Sequence, residues 1–153
     1  MSETPATTKR NVLGILIDAT TYDSVVDRVF EAARTATGLS VSATAVHGVM
    51  EGVHDPAHAA RLNAFDILTP DGQPVRWALN WLHHTGLRER VYGPELMLRC
   101  CERAAAEGFP IYLYGSTRAV LRPLVEQLEA RFPGLRVAGT SESRFGAVSP
   151  DAQ

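Results

Sequence analysis

Thr69-Pro70-Asp71-Gly72-Gln73-Pro74-Val75-Arg76-Trp77 is the stretch whose reading decides the fold. It follows the apolar run Phe65-Asp66-Ile67-Leu68, which reads as a short buried strand. Thr69-Pro70-Asp71-Gly72 is turn chemistry, because proline presets φ while aspartate and glycine tolerate the angles of a reversal. From Gln73 to His84 the pattern is helical, with Val75, Trp77, Ala78, Trp81 and Leu82 on the apolar side. Asp71 therefore stands where a strand stops and a helix begins. In open α/β sheets that edge is where ligands bind. A carboxylate there is a candidate general base. The plainer alternative is a helix cap, with Gly72 easing the turn.

Working outward, residues 11–18 read as an apolar strand. Thr20-Thr21-Tyr22-Asp23 starts a helix that Gly38 ends. Residues 39–44 form a second strand, residues 45–52 a short helix, and Asp55-Pro56 opens a helix to about residue 63. Beyond the Asp71 helix, Arg90-Val91-Tyr92 is extended and Pro94 opens a helix to residue 107. Residues 110–114 are a strand running into Gly115-Ser116-Thr117, residues 118–132 a helix, and residues 135–138 a last strand. This alternation predicts an α/β fold, Rossmann-like, with a largely parallel sheet and helices on both faces. Residues 1–10 are expected to be a disordered tail and residues 11–153 a single α/β domain. Ser149-Pro150-Asp151 is a helix-start signal with no helix after it, so the domain is expected to be incomplete at its C-terminal end.

The composition is that of an ordinary globular protein: 153 residues, 45% apolar and 21% charged. A net charge of −2 supplies no global basic field for nucleic acid. Lys9 is the only lysine among fifteen cationic side chains. Cys100 and Cys101 are adjacent and make poor disulfide partners, which fits a reducing compartment. The polar N-terminus lacks the apolar core of a signal peptide, and no run reaches the length of a spanning helix. The expected location is cytoplasmic, with peripheral attachment to the inner membrane face left open.

Three strand ends are candidates to share one edge of the sheet: Ser42-Ala43-Thr44 with His47, Asp71-Gly72-Gln73, and Gly115-Ser116-Thr117. The third turns into a helix, whose free amides suit phosphate, although an ordinary capped helix has the same look. Arg88-Glu89-Arg90 offers a forked clamp for a diphosphate, or simply a solvated loop. Neither the dinucleotide fingerprint nor the Walker loop is present. His54 and His58 stand four apart but flank Asp55-Pro56, so they read as surface histidines. No Cys/His cluster has zinc spacing, and no Gly-x-Ser-x-Gly elbow occurs. No metal and no cofactor are expected. The two cysteines read as packing residues, and Trp77 and Trp81 as a core stripe.

The order of these pieces resembles the WecG/TagA/CpsF family of glycosyltransferases. The resemblance is carried by Val41-Ser42-Ala43-Thr44-Ala45-Val46-His47, Asp66-Ile67-Leu68-Thr69-Pro70-Asp71-Gly72 and Arg90-Val91-Tyr92-Gly93-Pro94-Glu95-Leu96. Tyr112-Leu113-Tyr114-Gly115-Ser116, Phe132-Pro133-Gly134-Leu135 and Ser143-Arg144-Phe145 continue it. Each motif is weak alone; their order and spacing are specific. The resemblance implies inverting, metal-independent transfer of an N-acetylmannosamine-type sugar from a UDP-sugar to a polyprenyl-diphosphate-linked sugar acceptor, in cell-surface polysaccharide synthesis. By the same resemblance Asp71 matches the general base, Arg90 the arginine facing the departing diphosphate, and Ser42 and Thr44 the sugar pocket. His47 and Gln73 are expected substrate contacts, and Gly115, Ser116 and Thr117 nucleotide contacts. Thr44 stands where the family has asparagine, and Ser116 where it has glycine. The family's Gly-x-Pro-x-Gln-Glu-like segment and the basic C-terminal appendage of some members are not in this sequence. Two further readings remain: a degenerate nucleotide-sugar-binding module without turnover, and an unrelated α/β hydrolase using Asp71 as base. Self-association is left open.

Overall fold

The computed structural model describes residues 9–143. The chain falls into two compact units, Met1–Met97 and Leu98–Gln153. The first unit begins with β1 (Lys9–Val12) and β2 (Ile15–Asp18), which form an antiparallel hairpin with Lys9 opposite Asp18. One strand was expected over residues 11–18, after a disordered tail that took in residues 9 and 10. Instead Lys9 and Arg10 belong to β1, and the apolar run folds back at Leu13-Gly14. Those two residues have φ of 54° and 92°, the doubly positive geometry of a two-residue hairpin turn. The Gly14 N–H donates to Asn11 Oδ1 at 2.8 Å, fixing the turn. A leucine at its first position carries no turn signal, which is why the pattern looks continuous. Residues 1–8 lie outside the described residues.

Helix α1 (Tyr22–Arg34) is capped by Thr21, whose side chain accepts from the Ser24 N–H at 3.4 Å, and it buries Tyr22, Val25, Val26 and Phe30. It stops short of Gly38, at Thr35, whose hydroxyl donates to the Glu31 carbonyl at 2.9 Å. β3 (Val41–Thr44) and β4 (Ile67–Pro70) pair in parallel, Val41 opposite Ile67 and Thr44 opposite Pro70. Helices α2 (Val46–His54) and α3 (Pro56–Asn63) connect them. Asp55 caps α3 through the Ala57 N–H, with Pro56 at the first helical position, as the sequence indicates.

β4 lies two residues further along than the apolar run suggests. Asp66 is drawn off by Ser40, whose N–H and hydroxyl each donate to Asp66 Oδ2 at 2.7 Å. Those bonds hold the Asp66 carboxyl below the usual carboxylate range. Thr69 and Pro70, expected in a turn, are strand residues instead. Pro70 is tolerated at the strand end because it is used as an acceptor: its carbonyl takes the Val91 N–H at 2.9 Å. Asp18, fully buried on β2, reaches β4 by accepting the Leu68 N–H at 2.7 Å. Helix α4 (Gln73–His83) follows, ending at His84 in the left-handed region. Val12, Ile15, Ile17, Val49, Leu62, Leu68, Val75 and Leu79 make one core.

The boundary between the units falls within α5 (Gly93–Glu107). In the second unit β5 (Pro110–Tyr114) and β6 (Arg136–Ser141) pair in parallel, with α6 (Arg118–Arg131) between them in sequence. Leu121, Leu128 and Leu135 are buried there. A register shift after Ile111 puts Tyr112 opposite Gly139, where a side chain would strike the tyrosine ring. Alternating strands and helices with two parallel pairs form a mixed, Rossmann-like α/β fold. Among the described residues, no helix is long and apolar enough to cross a membrane. The sequence signals at Ser149 and Arg144-Phe145 lie outside the described residues.

Removing the Asp18 carboxylate would strand the Leu68 N–H in a dry environment. Asp18→Ala should therefore lower unfolding free energy by about 1–3 kcal/mol; an unchanged urea midpoint would show that the bond adds nothing.

Candidate active site

Three segments of the first unit meet at the C-terminal end of β4. The Asp71 N–H donates to the Thr44 carbonyl at 3.0 Å, continuing the β3–β4 ladder one residue past the strand. The Asp71 side chain turns toward the start of α5, where Oδ2 accepts the Gly93 N–H at 3.2 Å. The segment before α5 is itself pinned. Val91 is fully buried, its N–H is held by Pro70, and its carbonyl accepts from Thr69 Oγ1 at 3.3 Å. The Tyr92 N–H donates to the Tyr22 hydroxyl at 2.8 Å.

Capping of α4 is not what Asp71 does. The cap position belongs to Gly72, with no side-chain hydrogen bond. Gly72 is buried against α2's entry, where a Cβ would make ordinary contact with Ala45 Cα at 3.5 Å. Asp71 instead sits half-buried at the amino end of a helix more distant in sequence. Among the described residues its Oδ1 has no hydrogen-bond partner. Gly93 adjoins the carboxylate: a Cβ at that position would lie 3.5 Å from Asp71 Oδ2 and 3.4 Å from Ala43 Cβ, in ordinary contact.

The other expected residues divide. Arg90 leads into the same pinned segment, and its guanidinium carbon lies 4.7 Å from the centre of the Tyr92 ring, a cation–π contact. Thr44 is adjacent through its backbone, but its side chain faces elsewhere. It is 4% exposed, and Oγ1 would lie 2.7 Å from a Cβ at Gly48 in the first turn of α2. Ser42, on the same face of β3 as Thr44, is half-buried. The β3 side chain near the carboxylate is Ala43, from the opposite face. Gln73 is exposed, with Oε1 accepting from Arg76 Nε at 2.8 Å. His47 is on the exposed side of α2, with Nε2 3.3 Å from Glu51 Oε1. There it lines a cavity of about 550 Å³ with His54, Asp55, His58 and Arg61.

Gly115, Ser116 and Thr117 belong to the second unit. Gly115 and Ser116 have φ of 122° and 58°, and Thr117 caps α6 without a side-chain bond. The first amide of α6, that of Arg118, donates to a carboxylate oxygen of Glu142. The anion-binding position of this helix is thus occupied by the chain's own carboxylate. A phosphate there would have to displace it.

Sequence reading missed several residues that build the site. Arg76 Nη1 donates to the carbonyls of Leu87 and Arg88 at 2.9 and 3.1 Å, lashing the following loop to α4. Tyr22 holds Tyr92, and Gly93 holds Asp71. Of these, only Gly93 carried a signal, through its place in Arg90-Val91-Tyr92-Gly93. Among the described residues, no group of three or more His, Cys, Asp or Glu could hold a metal.

An acid at the end of a parallel strand, facing the start of a helix, is the ligand edge of an α/β protein. Residues 10–153 match the model of the Glycosyl transferase WecG/TagA/CpsF family, and the chain belongs to that family. Over 92 residues it is 27% identical to an N-acetylglucosaminyldiphosphoundecaprenol N-acetyl-beta-D-mannosaminyltransferase of Bacillus spizizenii. That match takes in 60% of this chain but 35% of the relative, so the chain spans about a third of its length.

The cysteines of α5 lie outside this chemistry. Burial, with Cys101 beside it, pushes the Cys100 thiol up to about 11, and burial raises Cys101 too. At pH 8 about one Cys100 thiol in a thousand would be ionised. The folded chain should therefore react with a thiol-specific disulfide reagent at least tenfold more slowly than the unfolded chain; equal rates would overturn this.

Proposed function

We propose that the chain is the catalytic portion of a glycosyltransferase that moves a sugar from a UDP-sugar to a lipid-linked sugar acceptor. The donor is of the N-acetylmannosamine type, as the name of the Bacillus spizizenii relative suggests, and the acceptor carries a polyprenyl diphosphate. The observation that carries this reading is the Asp71 carboxylate. One oxygen is fixed by Gly93 and the other is without a partner among the described residues.

In the proposed step the acceptor hydroxyl oxygen attacks the anomeric carbon and its proton passes to Asp71. The bond from that carbon to the diphosphate breaks, and UDP leaves with the electron pair. Attack opposite the leaving group inverts the anomeric centre. Asp71 contributes by taking the proton as the new bond forms, and by being held in place beforehand. Arg90 faces the charge that gathers on the departing diphosphate.

A second reading is a module that binds nucleotide-sugar without turnover. It draws on Glu142 at the amino end of α6 and on Thr44 directed toward Gly48. Titration with UDP, together with a UDP-release assay using a lipid-linked acceptor, separates the two: binding without release supports the second.

For the catalytic reading, Asp71→Asn should keep the melting temperature and UDP affinity while turnover falls by roughly 10²–10⁴. Full turnover in that variant would remove Asp71 from the chemistry. Arg90→Ala should raise the dissociation constant for UDP by roughly ten- to a hundredfold; an unchanged constant would refute the diphosphate contact.

A further inference from the structure

The contact that the structure gives Arg90 is with an aromatic ring rather than an acid. Its guanidinium carbon lies over Tyr92, 4.7 Å from the ring centre. Among the described residues its N–H groups have no hydrogen-bond acceptor and no ion pair, not even with the neighbouring Glu89. A guanidinium carries its donors in a planar fork that matches phosphate and carboxylate oxygens. A half-buried fork with no protein acceptor is set up for an acceptor from outside. The ring draws the cation through its quadrupole, so it places the charge without neutralising it as a carboxylate would.

A ring can position a cation only if its own backbone is fixed, and that of Tyr92 is held at both groups. The N–H donates to the Tyr22 hydroxyl at 2.8 Å, and the carbonyl accepts the Leu96 N–H at 2.9 Å in the first turn of α5. Tyr22 is itself buried on α1. Val91, on one side, is fully buried, and Gly93, on the other, bonds Asp71. The Tyr92 ring is 41% exposed, so it stands at the rim of the site rather than in the core. Its loss would therefore open no cavity in the core.

We propose that Tyr92 is a positioning residue, whose ring holds the Arg90 guanidinium ready for the diphosphate of the sugar donor. This rests on the glycosyl-transfer reading above, and deepens it by naming what orders the arginine. An unsupported arginine gives up rotamer freedom when it meets an anion, and that loss weakens binding. A guanidinium already seated on a ring has given it up beforehand. Two adjacent residues of one pinned segment, Tyr92 and Gly93, then place the cation and the carboxylate.

Tyr92→Leu keeps an apolar side chain and removes the aromatic face. It should raise the dissociation constant for UDP roughly three- to tenfold while the melting temperature stays unchanged. Tyr92→Phe, which keeps the face, should restore affinity to within about twofold of the unaltered chain. A double-mutant cycle separates positioning from packing. With Arg90→Ala already in place, Tyr92→Leu should change UDP affinity by less than about twofold. In proton NMR without ligand, the Arg90 side-chain protons should lie upfield in the unaltered chain and in Tyr92→Phe, because of the ring current, and move downfield in Tyr92→Leu. Unshifted Arg90 protons in the unaltered chain would overturn the proposal. So would a Tyr92→Leu chain that binds UDP as tightly as the unaltered one, or losses from Tyr92 and Arg90 that simply add. Any of these, with UDP still released in the presence of a lipid-linked acceptor, leaves the glycosyl-transfer reading standing. The expected cycle without UDP release from any acceptor would keep the positioning role and sink the catalytic reading instead. An unaltered chain that binds no UDP would end both.

Discussion

Everything at the site depends on β4 being held dry and in one register. Its four residues, Ile67 to Pro70, are all buried. A buried strand cannot leave backbone groups unpaired without a cost comparable to a lost hydrogen bond each. β3 pairs along one edge, and Val91 takes the Pro70 carbonyl. Asp18 takes the Leu68 N–H with a side chain rather than a backbone carbonyl. That substitution matters, because β2 makes its ladder with β1 and none with β4. A carboxylate reaching from β2 joins hairpin and strand without extending the ladder between them. The carboxylate is itself costly to bury, and Lys9 Nζ, 4.0 Å from Oδ2, offsets part of that cost.

With β4 fixed, Asp71 has little freedom. Its N–H belongs to Thr44 and one oxygen to Gly93, so both ends of the residue are tied to different segments. A side chain tied this way loses little further entropy on meeting a reactant, which is what a positioned base requires. A side chain at Gly93 would stand beside Asp71 Oδ2 and Ala43, in van der Waals contact with both.

Much of this could be read in the sequence, and the failures have physical causes. Parallel pairing, the α3 start at Asp55-Pro56, and the strand-to-helix position of Asp71 follow from short-range pattern and turn chemistry. The Leu13-Gly14 reversal was hidden because leucine, not asparagine, occupies a left-handed angle. The extent of β4 was misjudged because Ser40, 26 residues away, claims Asp66. The orientation of Thr44 was equally out of reach, since it depends on Gly48 accepting close approach from a neighbouring strand. Trp77 and Trp81, read from the sequence as a core stripe, are exposed, for another reason. Periodicity says that a helix has an apolar side, but α4 has two, and only tertiary packing decides which is covered.

That double-sided helix ties the chemistry to its surroundings. α4 starts two residues after Asp71, and at 1.5 Å per residue Trp81 is about 12 Å along the axis from Gln73. Arg76, on neither apolar face, bonds the loop that leads to Arg90. Asn80 makes the same connection further along, accepting the Leu87 N–H and donating to the Leu87 carbonyl. Loop and helix are therefore joined at two levels, and the same helix begins two residues past the Asp71 carboxylate.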